Sequence, residues 1–256
     1  RRCLIKYMLR IGDFRMNNLL RQYDKTMKEE LKKISLLKYA VVTARVFKMK
    51  PSITTRIKQL VRYLADYKSY KKLTRNDSYI LSTADLFPRI EDRTKNTDID
   101  PVYFTQGCWC AGKVFKAQPK VHYDIASQAL MVGIISQFTP TTMIDIRPLS
   151  VSIPGLSFIK GDILALPFKD KEISSLSSIC VIEHIGLGRY GDTLDQFGTE
   201  KAALELSRVL AAKGSLYISV PVDTDNKVYF NAHRAFTRDY ILHLFKDLKL
   251  VEEKYI

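Results

Sequence analysis

The chain has 256 residues, with 41 Lys and Arg against 27 Asp and Glu, and 46% hydrophobic residues. That is the composition of a globular protein with apolar residues enough for a core, which excludes a disordered or fibrous chain. The charge is lopsided: residues 1–80 hold 21 Lys and Arg and 6 Asp and Glu, a net of +15, so the rest is nearly neutral.

This asymmetry points to an anionic surface as partner, membrane or nucleic acid, or else to a solvated helical face. No apolar run approaches the ~18 residues that span a bilayer, and no secretory signal with a cleavage site is legible. Cys3, Cys108, Cys110 and Cys180 contain no Cys-x-x-Cys pair. They read as reduced thiols of a cytoplasmic protein. The chain starts on Arg1 rather than Met, as a fragment would.

Residues 1–75 read as a basic amphipathic helical extension. One stripe runs through Leu31, Ile34, Leu37, Val41, Val42 and Val46, and a second through Ile53, Ile57, Leu60, Val61, Leu64 and Tyr67. Arg56, Lys58, Arg62 and Lys68 lie off the second stripe, a pattern that suits an interfacial helix on the inner membrane face or a helix packed on other protein. Residues 76–120 read as an irregular connector packing on the core, with Pro88, a polar run from Glu91 to Asp100, and Trp109 as an anchor.

From Val121 onward, to 256, strands alternate with helices. Strands are expected at Val121–Ile125, Thr142–Ile146, Leu156–Lys160, Leu176–Ile182, Ser215–Val220 and Leu248–Ile256. Helices are expected at Gln128–Phe138, at Thr199–Leu210 with Gly214 as terminator, and from Thr237 to Phe245. This order predicts an α/β fold with a doubly wound sheet of about six mostly parallel strands.

Three strand ends carry acids, Asp124, Asp145 and Asp162. A carboxylate so placed accepts hydrogen bonds from ribose hydroxyls or, through water, from adenine. The fourth strand ends in Glu183-His184 and breaks into a loop with Gly186, Gly188, Arg189, Tyr190, Gly191 and Asp192. Asn231, His233 and Arg234 follow the fifth strand and are expected to close over the same edge.

These motifs resemble, in order, the type-11 group of class I S-adenosylmethionine-dependent methyltransferases, whose sheet is Rossmann-like. The resemblance is carried by Val121 to Ser127, Ile144-Asp145-Ile146, Gly161 to Phe168, Val181 to Ile185, and Ala203 to Leu216. It implies S-adenosylmethionine as cofactor, with Asp124, Ala126 and Ser127 at the first motif, Asp145 and Ile146 at the ribose, and Asp162 and Ile163 beside the adenine. Glu183, His184 and His233 are then the candidate catalytic groups. Arg189, Tyr190, Asp192, Asn231 and Arg234 are the candidate acceptor contacts, the arginines suiting a phosphate or carboxylate. An internal Arg189–Asp192 ion pair is the bland reading of that loop.

A narrower resemblance, through Asp145 to Leu149, Ile185 to Asp192 and Phe230 to Arg234, is to the uncharacterised family called domain of unknown function 268. Its bacterial members look like parts of surface-polysaccharide gene clusters, which implies a glycan or other small-molecule acceptor. Nucleic acid is the less favoured partner, since the basic segment has no recognisable RNA-binding motif. A metal is not expected, because Cys180 stands where metal-binding relatives carry an extra Glu. One departure supports a noncatalytic binding protein instead. The spaced glycines of the first motif are here Ala126, Gln128 and Leu130.

Overall fold

The computed structural model describes residues 53–73 and 78–256, so the expected stripe between Leu31 and Val46 lies outside the described residues. The chain divides into two compact units, Arg1–Asp98 and Ile99–Ile256. In the first, α1 (Ile53–Tyr70) forms where the second stripe was expected. Ile57, Leu60, Val61 and Leu64 of that stripe are exposed. Arg62 donates to the Ile90 carbonyl at 3.1 Å, and Arg56 and Arg93 face Glu91 and Asp66 across 3.7 and 3.6 Å. Solvent screens these exposed pairs, so they contribute little.

The second unit starts with a helix inside the segment read as an irregular connector. Helix α2 (Pro101–Ala117) begins on an Asp100 cap whose carboxylate accepts from the amides of Val102 and Tyr103, with Pro101 in the first turn. It ends in a left-handed Gln118 before Pro119. Its buried face is Gln106, Cys110 and Val114, at helical spacing.

Five parallel strands follow: β1 (His122–Ile125), β2 (Thr141–Asp145), β3 (Leu156–Lys160), β4 (Ile173–Ile179) and β5 (Leu210–Ser219), in the order β3-β2-β1-β4-β5. Helix α3 (Ala129–Ile135) crosses from β1 to β2, and α4 (Gly198–Val209) leads directly into β5. After β5 come a two-stranded antiparallel ribbon, β6 (Lys227–Tyr229) and β7 (His233–Ala235), and helix α5 (Arg238–Leu244) capped by Thr237.

The doubly wound α/β reading therefore holds, with two differences. Residues 248–256, expected as a sixth strand, have no regular structure. Strand β5 starts at Leu210 rather than Ser215, because the chain pairs with Ile173 straight out of α4. Gly214 sits at the resulting irregularity instead of terminating a helix, and a Cβ there would come within 2.9 Å of the Ala211 carbonyl.

Each sheet face has its own core. One gathers Ile125, Ile144, Leu176 and Ile182 with Ala202, Leu206 and Val209 of α4. The other packs Cys110 and Val114 of α2 and Met131, Val132 and Ile135 of α3 on Met143 and Ile179. Between β1 and β4 runs a buried polar chain. His122 bonds Ser175 at 2.8 Å and Ser177 at 2.9 Å, and the Ser177 hydroxyl donates to Asp124. His122 is thus a structural residue, and burial pushes its imidazole down to about 4. The strand order reverses between β1 and β4, and at such a point open α/β sheets bind ligands outside the carboxyl ends of the strands.

Candidate functional site at the carboxyl edge of the sheet

The turn after β1 departs from expectation at Asp124 and Ser127. Asp124 is fully enclosed, and its carboxylate accepts from the Ser127 amide at 3.0 Å as well as from Ser177. Burial pushes its carboxyl up to about 6. The Ser127 hydroxyl accepts from the Ile179 amide at 2.9 Å. Both residues therefore brace β1 against β4 rather than face a ligand, because every polar atom they offer is spent inside. Ala126 holds a left-handed φ of 56° where a glycine was expected. Gln128, which caps α3, and Leu130 are exposed rather than packed into the sheet.

At the end of β2, Asp145 accepts from the Arg147 amide at 2.8 Å and from the Arg147 guanidinium at 3.4 and 3.3 Å. Ile146 beside it is half-buried. At the end of β3, Asp162 is exposed and accepts from the Leu164 amide at 2.9 Å. Ile163 belongs to the hydrophobic core instead of lining a site, since it is 5% exposed among core residues.

The end of β4 carries the most perturbed group. Glu183 is 1% exposed, and its Oε2 has no hydrogen-bond partner. Burial pushes its carboxyl up to about 8, opposed first by its own backbone amide. A buried carboxylate without a countercharge is costly, so the proton is retained. His184 lies in the same short 3-10 turn, Ile182–His184. Its Nδ1 meets the Ala232 carbonyl at 2.6 Å, so Nδ1 carries the hydrogen. That leaves the Nε2 lone pair 3.6 Å from Glu183 Oε1. Burial holds the His184 imidazole below its usual range.

Further residues enclose this pair, none of them a site candidate in the sequence. Cys180 has a left-handed φ of 53°, and its thiol donates to Gln106 Oε1 at 3.2 Å. The same Gln106 oxygen accepts from the Ser219 hydroxyl at 2.9 Å. Tyr103 of α2 is raised above the ordinary phenol range, first by burial and then by Cys180, Glu183 and Tyr190. The Asp100-Pro101 pair was the legible signal that a helix begins there and brings Tyr103 and Gln106 to the sheet.

Asp192 accepts from the amides of Gly186 at 2.8 Å, Gly188 at 3.2 Å and Tyr190 at 3.1 Å. Its carboxylate ties the loop and is not offered to an acceptor. Gly186, at φ +82°, lies so near the Asp195 carbonyl that a Cβ would approach it to 2.0 Å.

Arg234 is also corrected. It is 8% exposed and donates to the carbonyls of Ile185, Asp195 and Gln196 and to the Thr199 hydroxyl. Those buried carbonyls consume its donors. Asn231 takes a left-handed φ of 61° at the exposed tip of the β6–β7 ribbon, which is a turn role.

The structure does bring the two segments together. Arg189 donates to the Ala232 carbonyl at 2.9 Å, the oxygen that also takes His184. Tyr190 stands edge-on to His184 at 5.7 Å, with Arg189 4.9 Å and Arg147 4.5 Å from its ring centre. His233 lies tilted against Tyr229 at 5.0 Å, and its Nδ1 is buried without a partner. Among the described residues, no group of three His, Cys, Asp or Glu side chains could hold a metal ion.

Residues 168–252 match the model of a family described as a Caenorhabditis protein of unknown function, DUF268. That is the family the glycine-bearing loop and the Phe230–Arg234 segment resemble. Residues 6–107 match a second model, described as a family of unknown function, DUF7019. No curated protein matches the chain.

Among solved structures, the chain is similar to the 1,6-didemethyltoxoflavin-N1-methyltransferase of Burkholderia thailandensis, solved with 1,6-didemethyltoxoflavin and S-adenosylhomocysteine. That match has 11% identity over 77% of this chain and 79% of the other, at a TM-score of 0.43. The YcgJ protein of Bacillus subtilis matches with 16% identity over 55% and 67%, at 0.43. The [4+2]-cyclase SpnF matches with 13% identity over 56% and 55%, at 0.44.

Proposed function

We propose that the chain is an S-adenosylmethionine-dependent methyltransferase acting on a hydroxyl of a glycan or other small anionic acceptor. The observation that carries this reading is Glu183. It is a fully buried carboxyl with an unpartnered oxygen, at the carboxyl end of a strand that flanks the switch point. Perturbed, enclosed acids of this kind concentrate at functional sites.

The edge residues fit the cofactor. Asp145 lies at the end of β2, roughly 20 residues past β1, where such sheets hold ribose hydroxyls. Asp162 is exposed at the next strand end for the base. Ala126 already adopts the left-handed backbone of a glycine turn, with only a methyl added. When bound, S-adenosylmethionine supplies an electrophilic methyl group.

The chain's own residues supply the proton chemistry. Near neutral pH Glu183 keeps its proton and His184 is a neutral imidazole, since the acid is raised to about 8 and the imidazole is lowered. The Ala232 carbonyl fixes the His184 ring so that its Nε2 lone pair faces Glu183. Once ionised, Glu183 accepts a proton from the acceptor hydroxyl as its oxygen attacks. His233, with its unpartnered Nδ1, is the alternative base. Arg189 and Tyr190 line the acceptor side. The basic segment of residues 1–75 is proposed to hold the protein at an anionic membrane surface on the cytoplasmic side.

The hold of Arg147 on Asp145 favours a second reading, a noncatalytic binding protein on the same fold. Native mass spectrometry of the purified protein separates the two. Retained S-adenosylmethionine or S-adenosylhomocysteine is expected, and retention of a different small molecule with neither nucleoside favours the noncatalytic reading.

A further inference from the structure

Arg147 belongs to no motif that reads as catalytic, yet it links the two halves of the edge. Its amide and guanidinium engage both oxygens of Asp145. The same guanidinium lies 4.5 Å from the centre of the Tyr190 ring, and Arg189 lies 4.9 Å from that centre. Tyr190 belongs to the loop after β4 and Asp145 to the end of β2, so Arg147 bridges the donor and acceptor sides. The side chain of Asp145 is 6% exposed and that of Arg147 is 55% exposed. The acid is therefore enclosed and the arginine open to solvent.

We infer that Arg147 couples the two halves: it covers Asp145 in the empty site, the donor's ribose displaces it, and it then takes an oxyanion of the acceptor beside Arg189. This deepens the methyltransferase reading and rests on it. The guanidinium covers the two oxygens of an acid that is 6% exposed, so ribose hydroxyls reach them as the arginine moves aside. Once released, it stays stacked on Tyr190, next to a second guanidinium and without its carboxylate. A guanidinium parted from its carboxylate takes another oxyanion, and its planar donors suit a phosphate or carboxylate. Binding is then ordered, donor before acceptor, with positive coupling between donor and anion.

Calorimetric titration of the full chain with S-adenosylhomocysteine tests this, at matched ionic strength, with inorganic phosphate, acetate or chloride present. Arg147→Gln is compared with the wild type after thermal melts confirm that both are folded. The variant is expected to bind S-adenosylhomocysteine about five-fold more tightly in chloride, and phosphate or acetate to tighten the wild type by about as much while leaving the variant unchanged. Phosphate acting alone identifies a phosphate-bearing acceptor, and acetate acting as well identifies a carboxylate-bearing one. The inference is overturned if the variant binds no more tightly than the wild type, or if the anions act equally on both. Wild-type binding that ignores both Arg147 and the anions sinks the coupling and leaves the methyltransferase reading standing. Failure of both proteins to bind S-adenosylhomocysteine ends both.

Discussion

Glu183 shows how one side chain sets both a chemical and a stability signature. Its folded carboxyl, at about 8, lies above the ordinary 4.5, so the folded state keeps a proton that the unfolded state has lost. Stability is therefore present at low pH and declines as pH rises through about 8. Asp124, at about 6, acts in the same direction over a lower window. His122 acts oppositely, because its neutral imidazole, at about 4 against an ordinary 6.5, loses stability as pH falls below 6.5. Between pH 6.5 and 8 Glu183 dominates these three. The melting temperature of the wild type should fall across that interval, and Glu183→Gln should flatten the fall. If Glu183 is the base of the proposed methyl transfer, the rate should rise toward a limb near 8 that the variant abolishes. Equal melting profiles for the two proteins would show that Glu183 is ionised in the fold at neutral pH.

Glu183 stood out as a candidate from its place after an apolar run. Arg147, Cys180, Tyr103 and Gln106 did not, because their roles depend on side chains that meet across elements. Asp192 and Arg234 were misread for a related reason. A charge in a glycine-bearing loop looks functional until the backbone groups it satisfies are known. The hub of the site, the Ala232 carbonyl, carries no side-chain signal at all.

At the scale of elements, the alternation of strands and helices was readable from 121 onward because β-prone runs end on acids, glycine or proline. Helix α2 was missed because Gly107, the flanking cysteines and the aromatics blur its periodicity, although Asp100-Pro101 marks its start. The sixth strand was a false reading of apolar–polar alternation that found no neighbour to pair with. Connections after β4 and β5 hold one another through Arg234, which anchors three carbonyls and one hydroxyl. Arg234→Ala should leave buried carbonyls unpaired and lower stability by about 3 kcal/mol. Chemical denaturation would read this, and a loss below about 0.5 kcal/mol would show the carbonyls rehydrated and the ribbon independent of the loop.

The whole molecule joins a basic first unit to a second unit that is close to neutral. Among the described residues, no helix is long and apolar enough to cross a membrane. Helix α1 nonetheless exposes Ile57, Leu60, Val61 and Leu64 beside Arg56, Lys58 and Arg62. Sedimentation with anionic liposomes should therefore be strong at low salt and decline with ionic strength, with each Lys or Arg near the surface adding on the order of 1 kcal/mol. Tight binding to RNA with no liposome binding would instead make the first unit a nucleic-acid clamp.

On the proposed reading, the carboxyl edge of the sheet holds S-adenosylmethionine through Asp145. Calorimetric titration of the cofactor into wild type and Asp145→Ala tests it most directly. The wild type should bind, and the variant should lose about 1.5–3 kcal/mol, the range for hydrogen bonds to a charged group. Equal binding by both proteins, or no binding by the wild type at millimolar cofactor, would contradict the account.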